Sequence, residues 1–173
     1  MTSKPAIRRT TAEDLDAILA LYPRAFAEED LTGIVREILT GNALHLSLGS
    51  LSQSQCISHV IFTALGGDSG DWTGALLAPL AVDPDHQRQG LGRALTFAGL
   101  EELAGLGVQQ VFVLGDPQYY GKLGFKAERV VQPPYPLPPE YDGAWQSMTV
   151  KDRVPLRDQV LRYPEPWLKP ELW

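Results

Sequence analysis

The chain has 173 residues, 44% of them hydrophobic and 21% charged, which suits one globular domain with a buried core and leaves little room for a second. A net charge of −6 argues against non-specific nucleic-acid binding, which needs basic patches to displace counterions. No apolar run is long enough to span a bilayer, the first residues lack the apolar core of a signal peptide, and the single cysteine, Cys56, excludes an internal disulfide, so the expectation is a cytoplasmic protein with no membrane partner.

The first strand is predicted at Ala6 to Arg9. Thr10 with Glu13 three residues on reads as a capping box, and Leu15, Ile18, Leu19, Tyr22 and Phe26 recur at helical spacing, with Pro23 expected to end or kink that helix near its last turn. A second helix is predicted from Asp30, with Leu31, Ile34, Val35, Ile38 and Leu39 on one side and Gly41-Asn42 as its stop. Leu44, Leu46 and Leu48 alternate with His45 and Ser47 as in a half-buried strand. Gln55 to Leu65 is a further strand, and the glycine-rich Gly66 to Asp71 reads as a flexible hairpin loop. Trp72 to Val82 is almost wholly apolar, as in a central strand covered on both faces, with Pro79 marking an edge or a bulge because proline cannot donate to a ladder.

Gln87-Arg88-Gln89-Gly90-Leu91-Gly92 stands between that strand and a hydrophobic helix predicted over Leu91 to Leu106, which has no clean polar face and is expected to pack on several sides. Glycines at a strand-to-helix turn let the backbone approach a ligand closely, and the helix start offers unpaired N–H groups and a positive dipole end. Arg88 and Arg93 add charge, so the turn suits a phosphate. Gln110 to Leu114 is a strand. Asp116 and Pro117 start a short helix that stops before Gly124. Phe125 to Val131 and Ala144 to Val150 read as strands, separated by the segment from Gln132 to Pro139, too proline-rich for a regular element. From Lys151 onward the chain carries Trp167 and Trp173 and reads as a packed tail. His45, His59 and His86 have no metal-ligand spacing, and Cys56 reads as a small buried hydrophobe.

At this point the chain resembles the GNAT family of acetyl-coenzyme A-dependent N-acetyltransferases. The resemblance rests on Leu77-Ala78-Pro79-Leu80-Ala81-Val82 with Asp83-Pro84, on Gln87-x-x-Gly90-x-Gly92, and on Tyr120-Gly121-Lys122-Leu123-Gly124-Phe125, all in the family's order. It implies a mixed α/β fold of six to seven strands and about four helices with the fourth and fifth strands splayed. The domain would cover residues 1–150, with the tail 151–173 packed on it. The resemblance also implies acetyl-coenzyme A as co-substrate, no metal, and a small-molecule or peptide amine as acceptor; a homodimer is common in such families. Leu80, Ala81 and Val82 would meet the pantetheine arm, and Arg88, Gln89, Gly90, Leu91, Gly92 and Arg93, with Gln87, would meet the pyrophosphate. Tyr120 is implied as the acid that protonates the departing thiolate, a role open to a phenol that is protonated at neutral pH.

The general base is not marked by a glutamate on the fourth strand. His59 is a candidate because imidazole titrates near neutral pH; the competing reading is a strand histidine satisfied by hydrogen bonds. Glu28, Glu29 and Asp30 lie in a segment that borders the acceptor site in this family, where they would bind a cationic acceptor; a solvated acidic turn is the commoner meaning of such a run. Tyr135 or Tyr141 in or beside the proline-rich loop would cover the acceptor pocket, or the loop is plain surface. A non-catalytic acyl-coenzyme A-binding module shares the whole cofactor signature and is the rival reading.

Overall fold

The computed structural model describes residues 6–53, 55–67, 71–157 and 159–173. Its strands are β1 (Ile7–Arg9), β2 (His45–Ser52), β3 (Gln55–Leu65), β4 (Gly74–Val82), β5 (Gln110–Leu114), β6 (Lys126–Ala127) and β7 (Trp145–Thr149). Its α-helices are α1 (Leu15–Ala25), α2 (Thr32–Thr40), α3 (Leu91–Gly105) and α4 (Pro117–Gly121). The strands form a seven-stranded sheet in the order β1-β2-β3-β4-β5-β7-β6. β4 and β5 run parallel, whereas β1 with β2, β5 with β7 and β6 with β7 are antiparallel. This is the mixed α/β architecture that the sequence implies. The parallel ladder is short: Gly74–Leu76 pair with Gln110–Phe112, and the register ends there although β4 continues to Val82 and β5 to Leu114. The splay therefore begins before Pro79, a residue with no N–H to offer a partner.

Packing divides the chain into two units, one taking the residues up to Phe62 with Pro79–Gly99, the other Thr63–Ala78 with Leu100–Trp173. In the first, α1 buries Ile18, Leu19, Leu21 and Tyr22, and α2 buries Ile34, Val35 and Ile38. The capping box falls one residue later than its sequence signature, because a 3-10 turn (Ala12–Asp14) precedes α1. The Thr11 N–H donates to the Asp14 carboxylate at 2.7 Å, while the Thr10 hydroxyl lies 2.5 Å from that of Ser47. α2 starts at Thr32 rather than Asp30, with Leu31 at its N-cap position, and the Asp30 carboxylate accepts from the Thr32 N–H at 3.0 Å from outside the helix. β2 is also not half-buried. Leu46 to Ser50 are all buried, Ser47 included, and Leu44 lies outside the strand and 51% exposed.

α3 departs from expectation in the opposite sense. Leu91, Leu95, Thr96, Gly99 and Leu103 are buried along one face, and Arg93, Ala94, Phe97 and Glu101 are exposed along the other. The outward face is blurred in sequence because Ala94 and Phe97 lie on it, with the Arg93 guanidinium 4.7 Å above the Phe97 ring.

In the second unit the strand predicted over Phe125 to Val131 shrinks to Lys126–Ala127. Glu128 is the reason: one carboxylate oxygen accepts the N–H groups of Val130 and Val131 at 2.7 and 3.0 Å, which turns the backbone out of any ladder. Its other oxygen takes Gln110 Nε2 and the Ser147 hydroxyl. Trp145 donates its indole N–H to Val131 O at 2.8 Å and stacks on Phe112. The tail buries Leu156, Leu161 and Trp167, and the Trp167 indole N–H donates to the Thr63 hydroxyl at 3.1 Å. Trp173 meets Trp145, Tyr163 and Trp167 edge-on. Half of the glycine-rich loop expected after β3, residues 68–70, lies outside the described residues.

Candidate active site

The end of β4 changes character at Leu77. Up to there every residue is buried; beyond it Ala78, Leu80 and Val82 are half-buried on one side while Pro79 and Ala81 are buried on the other. The chain then turns at Asp83 into a 3-10 turn, Pro84–His86. Gln87 reaches back to donate from Nε2 to Val82 O at 3.2 Å, clipping the loop to the strand end. Arg88 (φ 58°) and Gly90 (φ 80°) are both left-handed. A non-glycine residue there is uncommon, and turns built this way gather successive N–H groups into an anion-binding concavity.

The hydrogen bond from Ala94 N–H to Gly90 O, at 3.0 Å, opens α3, so the N–H groups of Leu91, Gly92 and Arg93 precede the helical ladder. Nothing lies within 4 Å of where a Cβ would stand on Gly90. Gln87, Arg88, Gln89 and Arg93 are exposed around the turn, and Leu91 and Gly92 are buried beneath it. Backbone donors, a helix N-terminus and two arginines on an open turn fit a diphosphate.

Sequence reasoning missed what holds this turn. Asp83 is 1% exposed. Its Oδ1 accepts from the Asp85 N–H at 3.0 Å, and its Oδ2 lies 2.9 Å from Arg24 Nη2, in the last turn of α1. The signal was the Asp83-Pro84 pair, a turn-starting cap in its own right; Arg24 gave no signal, standing 59 residues away.

In the second unit Tyr120 lies in the last turn of α4, whose start is capped by the Asp116 carboxylate accepting the Gln118 N–H at 2.9 Å. The Tyr120 ring lies on Gly115, where an added Cβ would clash with it, and edge-on to Phe125 at 5.6 Å. Its hydroxyl makes no hydrogen bond among the described residues. Burial, with a smaller contribution from Tyr119, pushes its phenol well above the ordinary tyrosine range, so it stays protonated.

His59 does not fit the role of base. It is fully buried, with Nδ1 2.8 Å from the Tyr22 hydroxyl and Nε2 2.8 Å from the Ser47 hydroxyl. Burial lowers its pKa to about 3, so it is neutral and both nitrogens are engaged. Tyr22 is buried too and held protonated, and its hydroxyl has no other acceptor among the described residues, so it donates to Nδ1 and leaves the proton on Nε2. Glu28, Glu29 and Asp30 are all exposed. Asp30 is committed to Thr32, whose hydroxyl and N–H lower its pKa. Cys56 is buried and its thiol is pushed up to about 12, which suits packing and not nucleophilic attack.

The proline-rich segment lines an open cleft of about 790 Å³ within the second unit, walled by Pro133 to Pro139 with Tyr141 and Trp145. The exposed Arg129–Asp142 ion pair, at 2.7 Å, lines it as well. Among the described residues no cluster of His, Cys, Asp and Glu is placed to hold a metal ion, and no helix is long and apolar enough to cross a membrane.

Comparison with known proteins gives a consistent result. A family model described as the acetyltransferase (GNAT) domain matches residues 54–127. The chain is 32% identical over 151 residues to the uncharacterised N-acetyltransferase YjhQ of Escherichia coli K12, covering 82% of this chain and 83% of that one. The crystal structure of the GNAT family N-acetyltransferase YhbS of Escherichia coli, in complex with CoA, is similar with a TM-score of 0.75 and 26% identity, over 98% of this chain and 97% of that one. A GNAT family acetyltransferase of Brucella melitensis, in complex with acetyl-CoA, is similar with a TM-score of 0.72 and 25% identity, over 93% and 96% of the two chains.

Proposed function

The chain belongs to the GNAT family of acetyltransferases, and from that premise we propose that it moves an acetyl group from acetyl-CoA directly to an amine acceptor. The observation that carries this reading is the turn from Gln87 to Arg93: two left-handed residues and the start of α3, whose first N–H groups precede the helical ladder, directly after the strand that leaves its ladder. Leu91, Gly92 and Arg93 would hold the pyrophosphate through their N–H groups, with Arg88 and Arg93 supplying charge. The backbone of Leu80 to Val82 would pair with the pantetheine amides, and the Val82 N–H would stabilise negative charge on the reacting carbonyl oxygen. Acetyl-CoA, when bound, supplies the acetyl group as a thioester.

Tyr120 is the proposed acid for the leaving thiolate, supported by a protonated, uncommitted hydroxyl on a ring fixed by Gly115 and Phe125. Glu28 and Glu29 are proposed to attract a cationic acceptor; both are exposed, whereas the Asp30 carboxylate is engaged by Thr32. The amine's proton is proposed to leave to solvent, since His59 is enclosed and has no nitrogen to spare.

Two measurements test the reading. Saturating acetyl-CoA should raise the thermal midpoint, and no shift would count against the whole site. Free thiol should then appear when acetyl-CoA is mixed with a panel of primary amines. Binding with no thiol release from any amine would favour a non-catalytic acyl-CoA module.

A further inference from the structure

Asp83 belongs to the matched signature only as the residue that follows β4 and is given no part in ligand binding there, yet its hydrogen bonds reach β3, α1 and the turn that follows. Its N–H donates to Ile57 O of β3 at 2.8 Å, which anchors the point where β4 ends. Its carbonyl accepts the His86 N–H at 2.8 Å, closing the 3-10 turn. Its carboxylate accepts the Asp85 N–H, takes His86 Nδ1 at 3.3 Å, and meets Arg24 with one oxygen at 2.9 Å and the other at 3.2 Å. Arg24 also reaches the exposed Asp85 at 3.2 Å. A carboxylate that is 1% exposed loses nearly all its water, and the half-exposed Arg24 supplies the opposite charge that makes this burial tolerable.

The position of Arg24 gives the contact its meaning. It lies in the last turn of α1, where a cation also suits the negative end of the helix, and the chain leaves α1 at Phe26 for the acidic segment Glu28-Glu29-Asp30. The loop's own backbone is strained at Arg88 and open above Gly90. The tie to α1 and β3 comes from Asp83.

We infer that Asp83 is a positioning residue that, through Arg24, locks the turn from Gln87 to Arg93 in its phosphate-receiving shape and fixes it to the end of α1. The inference rests on the reading of that turn as the pyrophosphate site. The lock lowers the ordering cost of binding, because the backbone donors are already gathered before the ligand arrives. It also holds the acceptor-side segment and the donor-side loop at one ion pair.

The test is calorimetric titration of coenzyme A into the purified protein and into Asp83→Asn, Arg24→Gln, Arg24→Lys and the double variant Asp83→Asn/Arg24→Gln. Titration stoichiometry reports the folded fraction, so a variant that folds poorly loses sites and not affinity. Arg24→Gln alters a half-exposed side chain and remains informative if Asp83→Asn does not fold. Each single loss of charge should raise the coenzyme A Kd about ten-fold, the double variant should be no worse than either single one, and Arg24→Lys should recover part of the loss. A Kd within two-fold of the unmodified protein in Arg24→Gln, or losses that multiply in the double variant, would overturn the lock while leaving the pyrophosphate reading intact. Absence of coenzyme A binding by the unmodified protein would overturn both.

Discussion

The Tyr22 hydroxyl donates to Nδ1 of His59 across 2.8 Å in an interior where neither residue is more than 1% exposed. Through Nε2 the imidazole continues to Ser47, and Ser47 to Thr10, so one hydrogen-bonded chain links α1, β3, β2 and the turn after β1. A fully satisfied buried chain of this kind specifies a single core arrangement. Its pH dependence follows from the imidazole. Unfolded, His59 takes up a proton below about 6.5; folded, it resists until about 3. The unfolded state therefore binds more protons in that window, and stability present above pH 6.5 declines as pH falls towards 3. Urea unfolding should show this one residue adding a slope of about 1.4 kcal/mol per pH unit between those limits. His59→Gln should lose about 1–3 kcal/mol at pH 7.5 and should lack that slope. If the slope survives in His59→Gln, the proton uptake belongs to another group.

Tyr120→Phe separates acid catalysis from packing. The phenylalanine ring keeps the contacts with Gly115 and Phe125 and removes only the hydroxyl. With a cognate amine, kcat should fall by about a hundred-fold while the coenzyme A Kd stays within two-fold. Because burial pushes the phenol upward, it remains a proton donor through neutral and mildly alkaline pH, and the rate of the unmodified enzyme should show no loss there from tyrosine ionisation. An unchanged kcat in Tyr120→Phe would remove this residue from the mechanism.

The contrast between these two residues explains what the sequence could and could not convey. Tyr120 sits in a contiguous run, Asp116 to Phe125, whose cap, proline and glycine act within a few residues of one another, and α4 begins at Pro117 as that chemistry requires. β3 and β5 likewise start and stop where their apolar runs do. The shape of the turn proposed for the pyrophosphate is legible for the same reason: strand, glycines and helix start are neighbours in the chain. His59 depends instead on Tyr22, 37 residues earlier, and on Ser47, 12 residues earlier. Nothing local distinguishes a histidine with two such partners from one facing a cleft. Glu128 illustrates the reverse error. Val130 and Val131 look like strand residues, and only the reach of a carboxylate back onto their N–H groups removes them from the sheet. Asp83 and Arg24 combine both difficulties, a local turn signal in one partner and a distant, unremarked arginine in the other.

Gly90→Ala tests the turn itself. The backbone there is left-handed at φ 80°, and an added Cβ meets no atom within 4 Å, so the whole cost is conformational. About 1–2 kcal/mol is expected, seen as a fall of a few degrees in the thermal midpoint. The same methyl group projects into the space proposed for the pyrophosphate, and coenzyme A affinity should fall about ten-fold or more. A destabilised variant that binds coenzyme A as tightly as the unmodified protein would place the pyrophosphate elsewhere.

Asp14 supplies a second acid-sensitive contact with a different window. Its carboxylate accepts two hydrogen bonds from the Arg8 guanidinium, at 2.8 and 2.9 Å, and one from the Thr11 N–H at 2.7 Å. The bonds from Arg8 lead in lowering its pKa to about 2 from an ordinary 3.8. A carboxylate held more acidic in the folded state contributes stability above its unfolded pKa and loses it as pH falls through the folded one. The contribution should therefore be nearly constant above about pH 5 and mostly lost by pH 2, starting below the pH at which His59 begins to act. Arg8 is half-exposed, so solvent screening limits the contribution to about 1 kcal/mol. Asp14→Asn keeps an oxygen for the Thr11 N–H and removes the charge, which isolates the ion pair from the helix cap. The stability difference between Asp14→Asn and the unmodified protein, followed by urea unfolding from pH 6 to pH 2, should hold to about pH 5 and lose most of its size by pH 2. A difference that persists undiminished at pH 2 would assign the loss to the cap and not to the charge.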